Sequence, residues 1–105
     1  MRVVIKKVGQ LPEVKEIDNT LDAFQEIVGG NIETFRFAEN ILCVCNEEGK
    51  LIGLKPNFLC RGDVICGDVF FCADGLDDFE SLNDEDAKFV IDLITIMCAK
   101  GLVFM

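Results

Sequence analysis

Apolar and polar positions alternate in short, well-punctuated runs along most of this chain, and only twice does the spacing turn helical. Arg2 to Val8 is β-branched and apolar, a strand, broken by Gly9, Gln10 and Pro12. Glu13 to Ile17 then alternates polar with apolar, the pattern of a half-buried partner strand. Asp18-Asn19-Thr20 supplies helix-capping side chains. Leu21, Phe24, Ile27 and Val28 follow at helical spacing, and Gly29-Gly30 closes the segment. An amphipathic helix is predicted there, with Asp22, Gln25 and Glu26 outside.

Strand signals then dominate. Ile32 to Phe37 and Ile41 to Cys45 suit a hairpin about Ala38-Glu39-Asn40. Asn46-Glu47-Glu48-Gly49 reads as a turn in which Gly49 is free to take positive φ, with Lys50 to Leu54 as the second arm. Lys55-Pro56-Asn57 opens an irregular loop that reaches Arg61-Gly62-Asp63. Val64 to Cys66 and Val69 to Ala73 are strand-like, and Gly67 marks a bend or bulge between them.

Asp74 to Asp78 reads as an acidic loop. Ser81-Leu82-Asn83-Asp84-Glu85-Asp86 is a strong helix start, because Asn83 can cap and the acids favour the positive end of the helix dipole. The helix is predicted from Asp84 to Ala99, closed by Lys100-Gly101. Its polar stripe is narrow, essentially Lys88, Asp92 and Thr95, so cover is expected on more than one side, from the sheet or from another subunit. Leu102 to Met105 is apolar and is expected to pack. The pattern as a whole predicts a single α+β domain over residues 1–105, a mainly antiparallel sheet of five or six strands packed with two helices.

Composition narrows the function. The 105 residues include no His, Trp or Tyr, yet six Cys and nineteen Asp or Glu. Without His the usual general base near neutral pH is missing, and so is the usual activator of Ser and Cys nucleophiles. No catalytic residue is assigned, and the chain is expected not to be an enzyme. The net charge of −9 is spread without a run of five like charges. Ten basic residues scattered among the acids form no stripe, so nucleic acid is not an expected partner. Half the residues are apolar, whereas a domain of this size buries only roughly 60–68% of its unfolded surface. A homo-oligomer that covers the surplus is therefore expected. Met1 to Lys7 lacks a signal-peptide core, and no run of about eighteen apolar residues can span a membrane. A cytoplasmic location, with reduced thiols and no membrane partner, follows as the expectation.

Cys43 and Cys45 share one face of a strand, and the six-residue spacing of Cys60, Cys66 and Cys72 is not that of a zinc ribbon. The thiols are read as small buried hydrophobes, with no metal and no cofactor expected. A calcium loop of about twelve residues started at Asp74 puts Leu76 at a ligand position and Phe79 where Gly belongs. Gly29-Gly30 ends a helix rather than opening one, so it offers no phosphate cradle. Phe35, Phe37, Phe70 and Phe71 are read as core.

Several segments, in order, carry a resemblance: Arg2-Val3-Val4-Ile5, Ile27-Val28-Gly29-Gly30, Cys45-Asn46-Glu47-Glu48-Gly49-Lys50-Leu51 and Gly53-Leu54-Lys55-Pro56-Asn57. Gly62-Asp63-Val64-Ile65-Cys66-Gly67 and Ser81-Leu82-Asn83-Asp84-Glu85-Asp86 continue it. Over nearly the whole chain they resemble a domain-of-unknown-function family of short proteins carried by Gram-positive bacteria, their phages and mobile elements. The resemblance implies no particular activity, cofactor or catalytic residue. The chain is richer in Cys and Phe than that pattern, which favours a packing role for the thiols.

The reading that remains is a small non-catalytic binding or protein-interaction module, with an unidentified protein or small ligand as partner. Its candidate site is the loop from Lys55 to Asp63, where the polar Asn57, Arg61 and Asp63 flank the apolar Phe58 and Leu59. The alternative is an acidic nucleic-acid mimic, encoded by a mobile element, that inhibits a host protein. An enzyme working through carboxylates or a thiolate is the third class.

Overall fold

Strand alternation sorts the side chains of this protein into two cores, one on each face of a central sheet. The computed structural model describes residues 1–105. The strands are β1 (Arg2–Lys6), β2 (Glu13–Glu16), β3 (Ile32–Ala38), β4 (Ile41–Asn46), β5 (Pro56–Cys60), β6 (Asp63–Cys66), β7 (Val69–Asp74) and β8 (Phe79–Glu80). The helices are α1 (Leu21–Val28) and α2 (Asp84–Ala99). The main sheet runs β2-β1-β7-β4-β3, every neighbour antiparallel, with β8 also paired to β7. The α+β architecture read from the sequence is the one found.

On one face Val3, Ile5, Val44, Phe70 and Cys72 pack beneath Phe24 and Val28 of α1. On the other, Val4, Cys43, Cys45, Val69 and Phe71 meet Phe58 and the buried stripe Ala87, Val90, Ile94 and Met97 of α2. The central β7 is covered on both sides, which is why it reads Val-Phe-Phe-Cys rather than alternating with polar residues. Thr20 caps α1 by accepting from the Ala23 amide at 3.2 Å, and Gly29 ends it in the left-handed conformation. Asn83 caps α2 by accepting from the Asp86 amide at 2.7 Å, with three acids in the first turn.

Four expectations are corrected. The segment from Lys55 to Asp63 is not an irregular loop: β5 and β6 form a hairpin, and its two turn residues, Arg61 and Gly62, take φ of 51° and 80°. Positive φ at both turn positions matches the twist of the flanking strands. Lys50 to Leu54 is not a strand but a knot of turns closed by Ile52 N–H to Glu48 O and Leu54 N–H to Gly49 O. The positive φ there falls on Gly53 rather than Gly49; Gly49 is needed for space, since a Cβ would lie 2.7 Å from the Cys66 carbonyl. β2 is exposed throughout rather than half-buried, because neither helix reaches the sheet edge it forms.

Finally, within one chain α2 is covered along one face only, leaving Phe89 47% and Ile96 51% exposed. After the helix, the Leu102 amide bonds Met97 O, and the segment runs on along the free edge of β5. Leu102 and Val103 are half-buried there, whereas Phe104 and Met105 remain exposed.

Candidate functional site

The three polar residues singled out in the Lys55–Asp63 segment occupy two different places. Asn57, at the start of β5, is fully buried. Its amide nitrogen donates to Lys6 O at 2.8 Å and Gly67 O at 2.9 Å, while Oδ1 accepts from Lys6 Nζ at 2.9 Å. The Lys6 ammonium is buried with it and also donates to Lys7 O at 2.7 Å. Burial lowers the Lys6 pKa, against the attraction of Cys98 and Asp68. Asn57 is thus engaged on every side in joining the hairpin to β1 and to the Gly67 bend.

Arg61 and Asp63 lie at the other end of the hairpin. The Arg61 guanidinium donates to Arg36 O at 2.7 Å and Phe37 O at 3.0 Å, clamping the turn onto β3. Asp63 is paired with Lys50, and that hydrogen bond holds its carboxyl below the usual range. Both border a hollow of about 180 Å³, with Glu33, Cys45 and Cys60 beside them. A neighbouring hollow of about 290 Å³ shares Glu33, Cys45 and Asp63 and reaches Cys66 and the acidic turn at Glu47 and Glu48. The structure therefore brings Arg61 and Asp63 together and leaves Asn57 out.

Cys45 and Cys60, beside these hollows, are poor nucleophiles, because burial favours the protonated thiol. Burial, reinforced by Glu33 and Asp63, pushes Cys45 up to about 11. Burial also raises Cys60, partly opposed by Arg61, and raises Cys43 strongly behind them. On the opposite face of the sheet, burial and then Asp74 and Asp78 push Cys72 up to about 12. No three Cys, Asp or Glu side chains converge as metal ligands.

Two other surfaces lie away from the Lys55–Asp63 segment. The edge at β2 is flanked by hollows on both faces of the sheet, about 410 Å³ toward α2 and about 460 Å³ toward α1. Val14, Ala87 and Ile91 line the first; Glu13, Lys15 and Ile17 border the second. The other surface is the flank of α2 that carries Phe89, Leu93 and Ile96, residues one helical turn apart. Its signal was already in the narrow polar stripe of that helix.

A family model described as Domain of unknown function (DUF3846) matches residues 1–95. The chain belongs to that family. No curated protein and no solved structure matches it. The family match spans every strand and both core faces, and it stops within α2, so Ile96 and the segment closing β5 lie beyond it. No helix is long and apolar enough to cross a membrane.

Proposed function

We propose that this member of the family is a non-catalytic, cytoplasmic protein-interaction module that works through its uncovered apolar surface. One observation carries the reading. Every buried polar side chain already has a hydrogen-bond partner inside the fold, while large apolar side chains stand outside it, Phe89 and Ile96 on α2 and Phe104 and Met105 beyond it. A chain built this way offers apolar area rather than a poised acid, base or nucleophile. The raised thiols agree with that, since a protonated Cys neither attacks nor ligates readily.

The mimic reading, with its mobile-element origin, draws less support. The acids are dispersed over β2, the Glu47–Glu48 turn, the loop after Asp74 and the start of α2. Cations pair among them, as in Lys50–Asp63, Arg36–Asp74 and Lys88–Asp92. A nucleic-acid mimic needs carboxylates arrayed along one face.

The test is partner capture by crosslinking in the producing cells, wild type against Phe89→Gln/Ile96→Gln. Both positions are exposed and Gln is a good helix former, so the fold is expected to survive. Partners crosslinked to the wild type should be lost in the double variant at unchanged circular dichroism. The same partners at the same yield would contradict a role for this surface.

A further inference from the structure

The hydrogen-bonding pattern of β2 shows what its free edge can accept. β2 ends the sheet, and residues 13–16 make no backbone bond outside the ladder with β1. Met1 and Ile17 exchange bonds, at 2.9 Å from the Ile17 amide and 2.7 Å from the terminal ammonium, so they form a hydrogen-bonded pair. Alternation along the ladder then turns the backbone groups of Lys15 and Glu13 inward, opposite Val3 and Ile5. Those of Val14 and Glu16 point outward, into solvent. Such an edge pairs with another strand unless something blocks it.

We infer that β2 pairs antiparallel with β2 of a second copy, centred on Val14, to give one sheet continuous through both chains. This names a partner for the interaction module and rests on that reading. The charges select the register. A two-fold axis perpendicular to the sheet keeps each residue on its own face, so residues of like parity meet. With Val14 opposite the second copy's Val14, each Glu13 faces a Lys15 across the axis, and each Lys15 a Glu13. Moving the axis one residue either way sets Glu13 against Glu13 or Lys15 against Lys15, which is repulsive.

The backbone agrees with the charges. In this register the two Val14 residues exchange both their outward bonds, and each Glu16 amide reaches a Pro12 carbonyl of the other copy. Pro12 has no N–H to return, so the ladder stops there and the assembly closes as a pair. Both faces gain cover. The two Val14 side chains meet on the α2 side, beside the hollow floored by Ala87 and Ile91. Carrying the register outward on the α1 side brings Leu11, 72% exposed in the single chain, opposite Ile17 of the other copy.

Sedimentation of the full chain across a concentration series tests this. The wild type should sediment as a dimer. Glu13→Lys alone and Lys15→Glu alone should each weaken the dimer roughly tenfold or more, because each creates two like-charge pairs. The double exchange Glu13→Lys/Lys15→Glu should restore it. Because Glu13 and Lys15 also pair within one chain at 3.8 Å, circular dichroism and urea midpoints that stay unchanged in all three variants assign the loss and the rescue to the contact between copies. Under mild oxidation Val14→Cys should crosslink to itself through the new thiol and Glu16→Cys should not, since only Val14 meets its own copy. A dimer indifferent to all these changes overturns the β2 pairing while leaving an interaction module that assembles elsewhere. A wild type that stays monomeric also overturns it, and capture through the α2 flank then tests the broader reading separately.

Discussion

At the scale of single residues, Lys6 and Asn57 are the least expected feature. A buried ammonium with amide and carbonyl partners but no carboxylate within ion-pairing distance costs stability by itself, and Asn57 makes it tolerable. Asn57→Ala removes the Oδ1 acceptor and strands the Lys6 and Gly67 carbonyls, so a loss of roughly 3–5 kcal/mol is expected in urea unfolding. Lys6→Met, which removes the charge and keeps the volume, should cost clearly less. Cys43, Cys45, Cys60 and Cys72 set the alkaline behaviour. Their folded-state pKa values lie above the unfolded value of roughly 8.5, so the folded state keeps protons that the unfolded chain has lost. The stability they give is complete below that value and is lost as pH rises toward about 11 for Cys45 and about 12 for Cys72. Lys6 acts the opposite way, its lowered pKa adding stability with rising pH as far as roughly 10.4. With four thiols raised against one lysine lowered, urea unfolding should show a net fall above about pH 8.5. That fall should be shallower in Cys45→Ala.

At the scale of elements, the helices and the hairpin differ in how openly the sequence declares them. Asn83→Ala should lower stability by about 1 kcal/mol, read as a fall in melting temperature, because the cap is a single local hydrogen bond. Local signals of that kind made both helices legible: Thr20 and Asn83 at the starts, Gly29 and Gly101 past the ends. The β5–β6 hairpin was not legible. Pro56 and Asn57 look like loop residues, and the turn is Arg-Gly rather than the familiar Asn-Gly. Arg61 holds left-handed φ through its tertiary bonds to β3, which nothing local reveals. The same holds for Asn57, whose polarity suggested a ligand until burial showed what it bonds. β2 was legible as a strand, but its place at the sheet edge depends on β7 crossing to pair with β1. Gly62→Ala, at φ of 80° with open space around it, should cost about 1 kcal/mol through backbone strain alone.

At the scale of the whole molecule, two cores share one sheet, yet apolar side chains remain outside at the β2 edge and along α2. Burial in a second copy or a partner removes that surface from water without asking anything more of the fold. The most direct measurement is native mass spectrometry of the protein purified from cells without chelator. Assemblies at whole multiples of the 11.7 kDa chain, with no added mass, are the expected result. A single chain carrying zinc, an iron–sulfur cluster or a small molecule would contradict it, and would make the thiols or the Arg61–Asp63 hollow the working site instead.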